Sequence, residues 1–357
     1  MTKKPIILGI ETSCDETAAS IIQDDKCGIP KILSSIVSSQ FDVHKEFGGV
    51  VPELAARSHV EKIDLITNEA IKKSGVSIND IDAVAATAGP GLIVCLSIGL
   101  NFGKSVAAFL KKPFIAVNHL EGHALSPKLV TNLKYPYLLL LISGGHSQYL
   151  SVQGLGKYKR LGTTIDDALG EAFDKTAKLI GIEFPGGPFL EKFAEKGNFK
   201  KFQLPKPIIN KGGCNLSFAG LKTAVLKISK KIKTDQDKYD LAASFQKTIE
   251  EILYKKTKIA FNEFKKLNKN KNNTFVIAGG VAANKNIRKI LTNLSFEEDF
   301  KPIFPPLNLC GDNAAMIAMV GLEKFKINKF DSFDYPAKPR WPLDINAKFL
   351  KGAGVKL

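Results

Sequence analysis

Apolar runs that stop abruptly at turns of small and polar residues recur along this chain. Residues 5–10 run into Glu11-Thr12-Ser13-Cys14-Asp15-Glu16, and 17–22 are largely apolar again. Residues 137–142 run into Ser143-Gly144-Gly145-His146, with 147–152 beyond the turn. Residues 274–278 lead to Gly279-Gly280 and then to a helical pattern from about 283 to 291. Short apolar runs bounded by turn-forming residues predict strands. The first two pairs predict hairpins about 130 residues apart, which suggests one architecture used twice. Residues 81–87 predict a further buried strand, followed by Ala88-Gly89-Pro90-Gly91 and an apolar helix over 92–110. Strands that alternate with helices place the chain in the α/β class.

Three later segments complete the pattern. Over 165–180, apolar residues at 165, 168, 169, 172, 173, 177 and 180 form one helical stripe, leaving Asp167, Glu171 and Asp174 on the other side. Residues 198–240 are lysine-rich, with Pro205, Pro207 and Gly212-Gly213, and predict an extended excursion over the surface. Residues 241–267 predict a helix with a lysine-rich outer face, whose ordinary role is solvation.

Composition narrows the class. With 357 residues, 44% of them apolar, the chain can bury cores for two or three domains. No apolar stretch is expected to reach the ~20 residues of a membrane span, and the start, MTKKPIILGIETS, lacks the build of a secretion signal. A cytoplasmic protein is expected. Cys14, Cys27, Cys95, Cys214 and Cys310 are scattered without a CxxC spacing, which predicts free thiols rather than a zinc-cysteine site. A net charge of +16 favours a polyanionic partner. Only Arg57, Arg160, Arg288 and Arg340 are arginines, so nucleotide composition of the genome also accounts for a lysine excess.

The chemistry-bearing residues begin at Asn118-His119-Leu120-Glu121-Gly122-His123, after a short strand over 114–117. Asn118 suits a helix N-cap, with Glu121 placed to complete a capping box. A helix starting there sets His119 and His123 one turn apart on one face, where neutral imidazoles can share zinc or ferrous iron. HLEGH is not HExxH: Glu121 lies about 200° around the helix from His119 and cannot serve as a zincin base. Spacing alone names no third ligand. Asp312, at the start of a small-residue helix, is either a plain N-cap or a ligand. Ser143-Gly144-Gly145, Gly186-Gly187 between prolines, and Gly279-Gly280 ahead of Asn284 can each turn N–H groups toward an anion. Gly99 to Ser105 is one residue short of a P-loop and lies in the apolar helix, so it is packing.

Together these words resemble the TsaD (Gcp/YgjD) family of transfer-RNA adenosine threonylcarbamoyltransferases, bacterial type. GIETSCDETAAS, VPELAARSHVEKI, TAGPGL, HLEGH, ISGGHSQ, DDALGEAFDKTAKLIG with PGGP, LSFAGLKT, AGGVAANKNIR and CGDNAAMIA occur in the family's order, with a KPRWPL word at 338–343. The resemblance implies an actin/Hsp70/sugar-kinase-like fold, two lobes of RNase H-like topology around a central cleft. The lobes expected are 1–130 with about 318–357, and 131–317 with the basic excursion near 198–240. It implies metal ligation by His119, His123 and Asp312, with iron(II) ahead of zinc, and ATP or ADP as a further ligand. It implies that Leu141, Ile142, Ser143, Gly144, Gly145, Asp174, Gly187 and Asn284 bind threonylcarbamoyl-AMP, with Asp15 as candidate base. Transfer RNA, an inactive TsaB-like paralogue and a small TsaE-like ATPase are the implied partners, with no membrane. Lysines of 198–240 and of the 241–267 helix are then candidates for RNA phosphates. A phosphotransferase or an ATP-binding chaperone-like module of the same fold is the alternative, and neither requires the histidine pair.

Overall fold

The computed structural model describes residues 4–25, 28–183, 185–269, 272–348 and 350. Cys27 lies outside the described residues. The chain divides into two compact units, Met1–Lys134 with Pro305–Ile345, and Tyr135–Phe304 with Asn346–Leu357.

In the first unit β1 (Ile6–Glu11), β2 (Glu16–Gln23) and β3 (Lys31–Ser39) form an antiparallel meander. α1 (Phe41–His44) and α2 (Pro52–Ser74) follow, then β4 (Ala83–Gly89), α3 (Ile93–Leu110), β5 (Phe114–Asn118) and α4 (His119–Leu125). The sheet order is β3-β2-β1-β4-β5, with β4 parallel to β1 and to β5. Every residue of β1 and β4 is buried, as expected for strands covered on both faces. Glycines permit that cover. A Cβ on Gly9 would lie 2.3 Å from the carbonyl oxygen of Ala314, in α10 (Ala314–Lys326). A Cβ on Gly103 of α3 would lie 2.8 Å from Ala86. Neighbouring strand residues face opposite ways, and the adjacent Ile10 meets α3, so the two helices sandwich the sheet.

α10 explains one departure from the expected lobes. The chain re-enters the first unit at Pro305, not near 318, because α10 must lie against β1 from its first turn. Another departure concerns α3, whose 18 residues are long and apolar enough to cross a membrane by length and composition. Its Gly99 and Gly103 seat it on Thr12 and Ala86, as a helix of this unit's core.

The second unit repeats the design. β6 (Tyr137–Ile142), β7 (Ser147–Gly154) and β8 (Lys157–Thr163) form the meander. α5 (Leu169–Leu179), α6 (Gly186–Ala194), α7 (Ala219–Ser229) and α8 (Asp235–Leu267) come next, then β9 (Thr274–Ala278), α9 (Lys285–Glu297) and β10 (Lys301–Ile303). The order β8-β7-β6-β9-β10 matches β3-β2-β1-β4-β5 strand for strand, with the same directions. The two hairpins expected from sequence are thus the first strands of two like sheets.

Two expected elements change. The helix read over 165–180 starts only at Leu169, because residue 164 bridges Leu216 and Asp166 turns its carboxylate on the N–H groups of Phe218 and Ala219. The excursion over 198–240 is no plain loop. It contains α7, and its 211–213 turn is pinned by the buried Lys256 of α8, whose ammonium donates to the carbonyls of Lys211 and Gly213.

Candidate metal centre and glycine turns

The first unit gathers its chemistry at the carboxyl ends of β1, β4 and β5. Asn118 ends β5 and caps α4, its Oδ1 accepting from the N–H groups of Leu120 and Glu121. Its amide nitrogen donates to the carbonyl of Trp341, which ties the cap to the segment beyond α10. The helix then presents His119 and His123 together, ring centroids 4.8 Å apart and nearly perpendicular. Asp312 meets both. Its Oδ1 lies 3.0 Å from His123 Nε2 and 3.5 Å from His119 Nε2. The N-cap of α10 is Asn313, whose side chain accepts from the N–H of Met316, so Asp312 is released from that duty.

Three donors, two imidazole nitrogens and a carboxylate oxygen, all lie within 4.8 Å of one another. A cation about 2.0–2.2 Å from each would leave neighbouring donors roughly 3 Å apart, so the side chains would draw together on binding. The donor types suit a divalent ion of borderline character, and this group could hold one. His123 Nδ1 is buried and has no hydrogen-bond partner among the described residues, so packing and the Nε2 contact with Asp312 hold that ring.

Glu11 was invisible to spacing arguments, because it reads as the last residue of a strand. It is buried, and its Oε1 accepts from the N–H of Ser13 at 2.6 Å. Its Oε2 takes the hydroxyl of Thr87 and lies 3.1 Å from His119 Nδ1. That contact fixes Nδ1 as the N–H toward Glu11, the carboxylate–histidine arrangement that orients metal ligands. With no cation bound, the same carboxylates favour a second proton on Nε2, which a metal ion would displace. Burial would depress the His119 imidazole, but the carboxylates of Asp312 and Glu11 outweigh it and hold its pKa well above the usual range. Burial would raise Asp312, yet His119 and then His123 hold it well below the ordinary carboxylate value. The pocket is built around a positive charge.

The turn after β1 is held from behind. His59 of α2 donates from Nε2 to the carbonyl of Cys14, while its Nδ1 accepts from Thr17 Oγ1 at 2.8 Å and faces Gln40. Gln40 in turn reaches His44 and donates its backbone N–H to the carbonyl of Asp15. Burial lowers the pKa of His59, only partly offset by its bond to Cys14, so the ring is the neutral Nε2–H tautomer. Glu16, next to Asp15, is pushed well above the carboxylate range by burial first and by Asp312 and Asp15 after it.

The second unit collects the glycine turns. Leu141 and Ile142 are fully buried in β6 and can offer only backbone to a ligand. Ser143 closes the turn by exchanging bonds with His146, and added Cβ atoms on Gly144 or Gly145 meet nothing within 4 Å. Asp174 of α5 accepts from the N–H of Gly186 at 2.9 Å and of Gly187 at 3.3 Å, fixing the start of α6. Asn284 caps α9 through Ile287 and pairs its whole amide with Gln246 of α8. It is a buried connector, with its amide fully engaged by that pairing and the cap. The helix it caps begins at Lys285, two residues past the expected start, since 280–283 form a 3₁₀ turn.

The comparisons with known proteins bear on this arrangement. The family profile of the TsaD tRNA N6-adenosine threonylcarbamoyltransferases matches residues 31–319. A protein of that name from Pelagibacter ubique (strain HTCC1062) is 77% identical over the full length of both chains. The chain belongs to the TsaD family. A Rhizobium etli (strain CIAT 652) relative of the same name is 50% identical, over 100% of this chain and 99% of its own. Among solved structures, T. kodakarensis HypF superposes with a TM-score of 0.62 at 14% identity, over 94% of this chain and 50% of HypF. Full-length HypF in the phosphate- and nucleotide-bound form gives 0.57 at 14% identity, over 93% of this chain and 48% of that one. These last two establish the actin/Hsp70/sugar-kinase class of α/β fold. The curated relatives name a transferase and give the phosphotransferase and chaperone-like alternatives no support.

Proposed function

We propose that this TsaD-family chain moves a threonylcarbamoyl group from threonylcarbamoyl-AMP to the exocyclic amine of the adenosine 3′ of the anticodon, in tRNAs reading ANN codons. The observation that carries the reading is the meeting of His119, His123 and Asp312 at one point, in a chain whose curated relatives bear that enzyme's name. The amine nitrogen attacks the carbamoyl carbon, the bond from that carbon to the phosphate oxygen breaks, and AMP leaves with the electron pair. The amine's proton passes to Asp15, on the turn that His59 and Gln40 immobilise. His119, His123 and Asp312 would hold a cation, whose positive charge would stabilise the phosphate or carbonyl oxygen. Two imidazoles with one carboxylate are the donor set of non-haem iron(II), and zinc is the other ion they suit.

In the second unit, the backbone of Leu141–Gly145 and the Asp174-fixed Gly187 turn bind the adenylate, with Asn284 at the adjoining helix start. Open space at Gly144, Gly145 and Gly187 supports direct approach of a ligand to the main chain. ATP or ADP is a further ligand for the same turns. An inactive TsaB-like paralogue, a TsaE-like ATPase and a separate adenylate-forming synthase complete the cytoplasmic pathway.

The test offers the chain tRNA, threonylcarbamoyl-AMP, iron(II) or zinc, and the partner proteins, and then examines the nucleosides by mass spectrometry. Modified adenosine with stoichiometric AMP supports the reading. Unmodified tRNA in every arm overturns it, and a phosphorylated product instead restores the kinase alternative.

A further inference from the structure

Two groups of lysines in the second unit, on α8 and around the end of α7, are treated differently by the structure. All seven lysines of α8 are engaged. Lys238, Lys247, Lys258 and Lys266 pair with Asp235, Glu250, Glu298 and Glu263. Lys255 bonds the Asn210 side chain, and Lys256 and Lys265 donate to backbone carbonyls. On this helix the cations are already neutralised or used.

α7 and the turn behind it are the opposite case. From Lys196 to Thr234 the chain carries ten lysines and no acid at all. Leu221 and Val225 bury one face of α7, which leaves Thr223, Leu226, Lys227 and Lys230 as an exposed stripe. Lys231 and Lys233 extend it past the helix end. Among the described residues no acid pairs with Lys227, Lys230, Lys231 or Lys233. One cation suffices to satisfy the negative end of a helix. Three more within seven residues repel one another unless a polyanion lies against them. The helix is also anchored in the substrate-binding unit, because Asp166, just before α5, holds the N–H groups of Phe218 and Ala219 at its start.

We infer that the exposed stripe of α7 with Lys231 and Lys233 is the surface that takes the phosphate backbone of the tRNA substrate, and that the lysines of α8 do not contribute. The inference rests on tRNA being the substrate, as proposed above. Phosphate contacts release counterions, so each lysine engaged steepens the salt dependence of binding.

The experiment measures tRNA binding by the full chain with its partner proteins across a salt series. It compares the unaltered protein with K227Q/K230Q/K231Q/K233Q and with an α8 set, K247Q/K258Q/K266Q. The α7 set is expected to lower the log–log salt slope by about 3 and the affinity by roughly 100-fold near 0.1 M salt. The KM for tRNA rises, while that for threonylcarbamoyl-AMP and the melting temperature stay put. The α8 set stays within about twofold of the unaltered protein, by the same counterion argument. Arginines at the four α7 positions restore binding. An unchanged slope in the α7 set, an equal loss in the α8 set, or failure of the arginine rescue overturns the assignment. Modified tRNA with unaltered α7 binding refutes the surface alone; no tRNA binding by the unaltered protein refutes the function with it.

Discussion

The two sheets share strand order, strand direction and the place of their first turn, yet the turns do opposite jobs. After β1 the chain spends its side chains: the buried Glu11 and Ser13 and the half-buried Asp15 and Glu16 crowd a charged corner next to His119. After β6 it removes them, and Gly144 and Gly145 leave the backbone bare. The position that is Glu11 in one sheet is Ile142 in the other, each the last residue of the first strand. One topology therefore presents two kinds of surface, a cluster of ionisable side chains in the first unit and bare main chain in the second, which on the proposed function would serve a cation and an anion.

The largest test of that division is His119→Ala. It should remove bound metal and lower transfer by at least about 1000-fold, with the far-ultraviolet spectrum unchanged, if the ion carries the charge stabilisation assigned to it. Metal content at the unaltered level would end the comparison. Next comes Glu11→Gln, which keeps the shape but weakens the hold on His119 Nδ1. Metal affinity, measured by chelator competition, should fall about 10–100-fold. The loss should exceed anything produced by altering Ile142.

A pair of glycine substitutions sharpens the contrast from the other side. Gly9→Ala drives a Cβ against the α10 backbone and should cost about 1–3 kcal/mol in denaturant unfolding, whatever the ligand. Gly144→Ala meets open space, so stability should move by less than about 0.5 kcal/mol, while the KM for threonylcarbamoyl-AMP rises. Equal stability losses would deny that the second turn is shaped for a ligand. The smallest effect concerns His59. Its pKa is lowered in the fold, so the unfolded chain binds the extra proton as pH falls through the ordinary histidine range. Stability from this group is complete above that range and declines below it. A variant with glutamine at this position should show a flatter acid limb in thermal melts between about pH 7 and 5.

Much of this was legible in the residues, for reasons that differ by element. Strands such as β6 and β9 stand out because they are apolar on both faces and run into glycine-rich turns, and their bounds agree with the pattern. Asn118 announces α4 because its cap is local. What stayed hidden depended on distant partners. Glu11 acquires meaning only from His119 and Thr87, more than seventy residues away. The start of α5 is set by Phe218 and Ala219 through Asp166, so periodicity overran it by four residues. α7 was missed because a helix with only Leu221 and Val225 fully buried has little apolar stripe to show. Asp312 reads as a cap until Asn313 is seen to do that work.

The return of the chain to its first unit at Pro305 has a consequence for synthesis. β1 through α4 leave the ribosome early, but α10, which covers β1, and Asp312, the last member of the triad, emerge only after the whole second unit up to Phe304. Until then the two imidazoles lack their carboxylate. On the metal reading proposed above, the three-donor site exists only in the finished polypeptide, and loading of the ion in this form would follow synthesis.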